Sequence, residues 1–244
     1  MTDGILFLHG WPLDGRMWEP QLSEFSGSWP VAAPHLPGFG GTAGAGDVMT
    51  MSSAASSALE SLEVAEIDRA VVVGISMGGY VAFELWRTAP DRIAGLVLAN
   101  TRSGADNDEG RERRRALAGR LRSEGSGFLL AEPPPLISAD AAQDVRERVM
   151  AIFADQPAES IAAASLGMAE RPDSTPDLPT IDVPTGVVTS TGDTLIPAEL
   201  STPLAEQIAG AELTVLDGAG HMSGLEDPAG FNEAVAALLD RSFA

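Results

Sequence analysis

The chain has 244 residues, of which 44% are hydrophobic and 20% charged, and it contains no cysteine. Acidic residues outnumber basic ones by 35 to 15, a net charge of −20, which argues against nucleic acid as a partner, since phosphate neutralisation needs clustered positive charge. Without cysteine there is no disulfide, thiolate nucleophile or zinc–thiolate site, and because all 15 basic residues are arginine, lysine Schiff bases and lysine-dependent phosphate loops are excluded as well.

The length suits one domain with an insertion. Met1-Thr2-Asp3-Gly4 carries no basic stretch, and the apolar run Ile5 to Leu8 is too short for a signal peptide. No window reaches the ~20 apolar residues of a membrane helix. The expectation is a cytoplasmic chain with no membrane partner.

In chain order, Ile5 to Leu8 reads as a buried parallel strand running into the loop His9-Gly10-Trp11-Pro12. Trp18 to Phe25 reads as a short helix, and Val31 to Ala33 as a weak strand closed by Pro34-His35-Leu36-Pro37-Gly38-Phe39-Gly40-Gly41. A helix follows over Met51 to Ala65, then a valine strand over Ala70 to Gly74. Met77 to Thr88 is helical and stopped by Pro90, and Ile93 to Ala99 is a strand. Residues 102–180 then lack a convincing strand. Glu109 to Arg122, Ala139 to Ala154 and Ala158 to Ala169 look helical, and Pro133-Pro134-Pro135 separates the first two. Strand pattern resumes at Gly186 to Thr189 and recurs at Glu212 to Leu216, with helices over Pro197 to Ala209 and Pro228 to Asp240. Alternating strands and helices imply an α/β fold with a mostly parallel sheet covered on both faces. The expected organisation is a core of residues 1–101 and 181–244, with a helical cap, residues 102–180, inserted after the fourth strand. Ligands of such sheets sit outside the carboxyl ends of the strands.

Three short motifs fall at those ends. Gly74-Ile75-Ser76-Met77-Gly78 is G-x-S-x-G between a strand and a helix, the context in which a sharp turn lifts a serine into the open. A serine nucleophile needs a base, and the base an orienting acid. His221, in Gly218-Ala219-Gly220-His221, follows one strand, and Asp193, in Thr191-Gly192-Asp193, follows another. The order Ser76, Asp193, His221 is that expected of this architecture. Taken alone, Asp193 reads equally as a turn aspartate and His221 as a surface histidine; three residues after three strands make the case jointly. Asp217 and Asp182 are the other candidate acids, with Asp217 better placed to end a strand. The amides of Trp11 and Met77 are the expected oxyanion donors, and His9 reads as a structural histidine of the first loop.

These segments, with LHGWPLD (8–14), PHLPGFG (34–40) and GISMGGY (74–80), resemble the α/β-hydrolase superfamily. The wider pattern is similar to its small esterase and lactonase branch, which includes 3-oxoadipate enol-lactonases. The resemblance implies Ser76 as nucleophile, Asp193 as acid, His221 as base, and a helical cap over residues 102–180. It departs from that family in two ways. The first strand starts about four residues from Met1, leaving no room for the family's N-terminal β-hairpin, so Val31 to Ala33 should lie near an edge of a smaller sheet. His35 stands where the family commonly has aspartate before Leu-Pro-Gly.

The expected substrate is a small ester or lactone, with neither metal nor cofactor. Trp11, Met77, Leu195, Ile196 and Met222 are candidate pocket walls, and Phe128, Leu129, Ile152 and Met168 a candidate roof. Their simpler use is as helix faces packed on the core. Arg102 directly follows a strand and is a candidate partner for a substrate carboxylate. Arg111, Arg113, Arg114 and Arg115 read as a solvated helix face balancing Glu109 and Glu112. The leading expectation is ester or lactone hydrolysis through an acyl-enzyme. The alternatives are perhydrolase or haloperoxidase-type acyl transfer to peroxide, a lyase or cyclase using the triad as acid and base, and a non-catalytic binding protein. Oligomeric state is left open.

Overall fold

A computed structural model describes residues 1–44 and 46–244. Among these residues six strands form one sheet: β1 (Asp3–Leu8), β2 (Val31–Ala32), β3 (Arg69–Ile75), β4 (Ile93–Ala99), β5 (Thr185–Ser190) and β6 (Glu212–Leu216). Their order is β2-β1-β3-β4-β5-β6, and every neighbouring pair is parallel. Continuous apolar runs make the central strands. Ile5 through Leu8, Ala70 through Ile75 and all of β4 are buried, and each large side chain so placed contributes on the order of 1.5–3 kcal/mol. As the sequence suggests, the two-residue β2 lies at one edge. β6 forms the other and leaves Leu213 and Val215 exposed.

Parallel strands need crossovers, and right-handed ones distribute the helices over both faces. α2 (Met51–Val64) packs on α3 (Met77–Thr88) and β1, while α8 (Ala198–Gln207) packs on β5 and β6. On the other face α10 (Pro228–Ser242) crosses β3 to β6 beside α1 (Glu19–Phe25). The helix ends carry local signals. Thr50 accepts the Ser53 amide at 3.0 Å to start α2, and Asp227 accepts that of Gly230 at 3.0 Å to start α10.

Between β4 and β5 the chain forms α4 (Asp108–Glu124), α5 (Gly127–Ala131), α6 (Gln143–Ala154) and α7 (Ala158–Glu170). α4 and α7 pack on each other. The segment is tied to the core by the Trp11 ring N–H on the Ile161 carbonyl (3.0 Å), the Met49 amide on the Ala163 carbonyl (3.1 Å), and the Gln156 amide on the Asp14 carboxylate (2.7 Å). Two elements differ from expectation. α6 begins at Gln143, not Ala139, because the preceding segment is anchored to the core: Ser138 donates to Glu226 Oε2 at 2.9 Å and the Leu136 carbonyl accepts from Met222 at 2.8 Å. The short α5, unforeseen, is held by the Arg120 guanidinium 3.7 Å above the Phe128 ring. A last short helix, α9 (Ser223–Glu226), follows β6.

The sheet register decides where function concentrates. Leu8 pairs with Gly74, Ile75 with Ala99, Ala99 with Val188, and Ser190 with Leu216. The carboxyl ends of five strands therefore share one edge. Among the described residues no helix is long and apolar enough to cross a membrane.

Candidate active site

Ser76 occupies the single residue between β3 and α3, at φ 54° and ψ −115°. A non-glycine residue held at positive φ is strained and persists only where its surroundings over-determine it. Here the Ser76 amide donates to the Ala99 carbonyl (2.9 Å), and its own carbonyl accepts from Thr101 Oγ1 (2.8 Å) and the Gly79 amide (3.0 Å). The turn also needs bare backbone. A Cβ at Gly78 would sit 2.1 Å from the Leu8 carbonyl oxygen, and one at Gly74 would sit 2.4 Å from that of Gly78.

The loops after β3, β5 and β6 bring Ser76, Asp193 and His221 together. His221 Nε2 lies 2.8 Å from Ser76 Oγ, and its Nδ1 lies 2.8 Å from Asp193 Oδ2. A carboxylate only accepts, so Nδ1–H donates to Asp193 and Nε2 is left to accept the serine proton. Asp193 Oδ1 accepts the amides of Leu195 and Ile196, each at 2.9 Å. Burial alone would raise this carboxyl, but the His221 hydrogen bond and charge, the Ile196 amide and Asn100 hold it below its ordinary value. It stays ionised.

Asn100, which no motif marks, completes the network. It directly follows β4 with φ 43° and is fully buried. Its Nδ2 donates to Asp193 Oδ2 (2.9 Å) and Ser190 Oγ (2.8 Å), and its Oδ1 accepts from Ser223 Oγ (2.6 Å). The signal available was position alone, a polar residue directly after a buried strand. Thr101 was missed for the same reason.

His9 is fully buried, with Nε2 accepting the Leu36 amide at 3.0 Å and Nδ1 on the Gly10 carbonyl at 3.2 Å. Burial pushes its pKa down to about 4, so it is neutral and braces the first loop. His35 faces elsewhere. Its Nδ1 accepts the Gly15 amide at 3.2 Å, and its ring packs against Gly40. Asp217 accepts from Thr191 Oγ1 at 2.9 Å, so it is occupied away from His221. The amides of Trp11 and Met77 make no hydrogen bond among the described residues.

Ser76 and His221 open into a cavity of about 270 Å3. Of the residues expected to line it, Trp11, Arg102, Met168, Leu195 and Ile196 do so. Met77 and Met222 do not, and both are fully buried. Met222 packs where a Cβ on Gly10 would meet its Cε at 3.0 Å, because the Leu136 carbonyl captures its amide and turns the loop inward. Ile152 instead lines a larger outer groove of about 620 Å3 with Arg16 and Arg148, which holds none of the three residues. Phe128 lies under Arg120, and neither it nor Leu129 reaches the cavity. Tyr80, Pro134, Arg113 and Arg114 do line it and were not foreseen. The arginine face of α4 is thus only partly solvated. Arg111 and Arg115 pair outward, each at 3.9 Å, with Asp108 and Glu112, whereas Arg114 turns in to Asp106 at 2.5 Å. Helical spacing alone does not reveal that a buried acid lies beneath one arginine of such a run.

The match to known proteins agrees with this geometry. Residues 5–234 match the model of the alpha/beta hydrolase family. A thermophilic esterase from Thermogutta terrifontis, solved with malate bound, superposes with a TM-score of 0.94 at 36% identity, covering 100% of this chain and 91% of that one. The enol-lactonase from Burkholderia xenovorans LB400 superposes with a TM-score of 0.86 at 27% identity, covering 98% and 90%. A pimeloyl-[acyl-carrier protein] methyl ester esterase of Aromatoleum aromaticum is 28% identical over 238 residues, covering 92% of this chain and 93% of its own. The chain belongs to the alpha/beta hydrolase family, and it is an enzyme of the hydrolase class.

Proposed function

We propose that this enzyme cleaves small carboxylic esters or lactones through an acyl-enzyme formed on Ser76. The observation that carries the reading is the unbroken chain from Ser76 Oγ through both nitrogens of His221 to Asp193, each link 2.8 Å. His221 Nε2 takes the serine proton as Oγ attacks the carbonyl carbon. Ionised Asp193 orients the ring and stabilises the imidazolium that forms. The negative charge that develops on the carbonyl oxygen is met by the amides of Trp11 and Met77, the latter at the start of α3, where the helix dipole adds to it. The C–O bond then breaks, and the alcohol leaves with the proton from His221. Water, deprotonated by the same histidine, attacks the acyl-enzyme and releases the acid and free Ser76. Residues 102–180 serve as a cap, with α4 and α7 contributing Arg113, Arg114 and Met168 to the cavity wall.

The test is turnover of short p-nitrophenyl esters together with labelling by a fluorophosphonate. The wild type turns over and is labelled at Ser76. Ser76→Ala loses at least about 10⁴-fold in kcat, as removal of a nucleophile does elsewhere, and is unlabelled. A folded wild type that stays unlabelled at Ser76 would sink the acyl-enzyme reading.

A further inference from the structure

We propose that Asn100 is a positioning residue of the reaction: it holds Asp193 Oδ2 against His221 from outside the loop that carries the acid. This rests on the acyl-enzyme reading above and adds a residue to it.

Asp193 has two oxygens to fix. Its own loop fixes Oδ1, through the Leu195 and Ile196 amides. Oδ2 is the oxygen that His221 uses. Among the described residues its donors are His221 Nδ1 at 2.8 Å and Asn100 Nδ2 at 2.9 Å. The Asn100 amide is itself locked. Its Nδ2 also donates to Ser190 Oγ at 2.8 Å, and its Oδ1 accepts from Ser223 Oγ at 2.6 Å. Because a carboxylate only accepts, the NH2 group must be the one that faces Asp193. Ser190 Oγ in turn donates to the Gly220 carbonyl at 2.7 Å, one residue before His221, and Ser223 lies two residues after it. One side chain after β4 thus ties the acid to both flanks of the base, and all of these side chains are buried.

Backbone conformation does not account for the residue. Glycine takes a φ of 43° with less strain and brings no polar side chain to bury. Burying an amide is costly unless its hydrogen bonds are made, and here one N–H is spent on the oxygen that the base depends on. Burial opposes the charge on Asp193, whereas His221, the Ile196 amide and Asn100 favour it. When His221 takes the serine proton, imidazolium and carboxylate meet along the Oδ2 bond. An oxygen already held there needs no rearrangement as that charge develops. The next residue, Thr101, grips the other end of the triad, its Oγ1 donating to the Ser76 carbonyl at 2.8 Å. Asn100 does not line the cavity that holds Ser76, so its effect should fall on rate and not on substrate binding.

Asn100→Gly tests the inference, because it removes the side chain and keeps the φ that the backbone needs. With p-nitrophenyl acetate, kcat per folded molecule should fall by roughly 10–100-fold, the range of one hydrogen bond to a charged group, and KM should stay within about twofold. Ser223→Ala, which only unlocks the Asn100 amide, should cost about threefold to tenfold. Added to Asn100→Gly it should cost almost nothing more. The second readout is proton NMR of the chain carrying isotope-labelled histidine, which has only three such residues to assign. The low-field proton on His221 Nδ1, identified by its loss in His221→Ala, should shift or exchange away in Asn100→Gly. A merely structural asparagine would lower the urea midpoint and leave both kcat and that proton in place. Wild-type kcat in Asn100→Gly, a loss carried by KM alone, or losses that multiply in the double variant overturn the inference. Should Asn100→Gly fail to fold, Ser223→Ala decides: an unchanged kcat with an unchanged proton overturns it. Any of these with wild-type turnover and labelling at Ser76 removes this inference alone. Absence of both turnover and labelling in the wild type would remove the acyl-enzyme reading and this inference with it.

Discussion

The loops at the carboxyl edge of the sheet and the helices packed over them both place polar groups around Ser76, but by different means. In the loops, backbone dictates position. Ser76, Asn100, Asp193 and His221 each follow a strand whose register is set by its neighbours, and short side chains close the hydrogen bonds. In the helical segment, long arginines reach a shared acid from three separate places, the β4 exit, α4 and the end of α7. The first arrangement is suited to holding a reacting geometry with little adjustment, the second to holding charge. Damage to the loops should therefore cost rate, and damage to the arginine cluster should cost stability.

On the proposed acyl-enzyme mechanism, the largest effect expected in the loops after that of Ser76→Ala is at Asp193. Asp193→Asn keeps one oxygen to accept the Leu195 and Ile196 amides but presents an N–H to His221 and Asn100. That favours the wrong histidine tautomer, and kcat should fall roughly 10³–10⁴-fold. Thermal unfolding should move by only a few degrees. A large loss of stability with modest loss of rate would break the contrast between the two regions.

The same contrast explains what could be read beforehand. Strand ends are legible because continuous apolar runs mark them, and a residue just past the end inherits a known place in the fold. That is why Ser76, Asp193 and His221 could be named from spacing, and why the segment between β4 and β5 could be read as helical. Asn100 shared the same positional logic but lacked a motif. Arg114 had no signal at all, since the turn of one arginine toward Asp106 depends on how α4 lies on α7. Met222 failed for a related reason. Its neighbour His221 is set by the strand, but its own direction is set by the Leu136 carbonyl, from a segment 86 residues earlier in the chain.

In the arginine cluster, Asp106→Asn is the sharper probe. Burial alone would raise this carboxyl, yet the hydrogen bonds and charges of Arg171 and Arg114 hold it down at about 2. Removing the anion leaves three guanidiniums without their shared partner, one of them buried. The expected cost is about 3–5 kcal/mol, typical of breaking a buried pair from one side, read as a lower urea midpoint at unchanged slope. Fluorophosphonate labelling at Ser76 should persist in the folded fraction. Loss of labelling without loss of stability would mean that the two regions are not separable in this way.

Acid titration offers a milder way to separate them, because their groups act in different windows. His9 belongs to the loops and is held neutral, its pKa lowered from 6.5 to about 4 by burial. Below pH 6.5 the unfolded chain gains a proton that folded His9 refuses, so stability falls with pH until about 4, by roughly 3 kcal/mol in all. Asp106 has the depressed carboxylate's pattern: its contribution is present above an unfolded value near 3.8 and is lost as pH falls toward about 2. Asp193 and Asp14 are likewise held below 3.8 and act only in that lower window. Urea midpoints at pH 7.5, 5.5 and 4.5 should therefore decline in the wild type and stay nearly level in His9→Asn. The variant should start lower, by about 1–3 kcal/mol, because the buried Leu36 amide loses its imidazole acceptor. Asp106→Asn should keep the wild-type decline above pH 4.5. An unchanged slope in His9→Asn would show that the first loop opens to water before its histidine titrates, and the backbone-set region would then be the softer of the two.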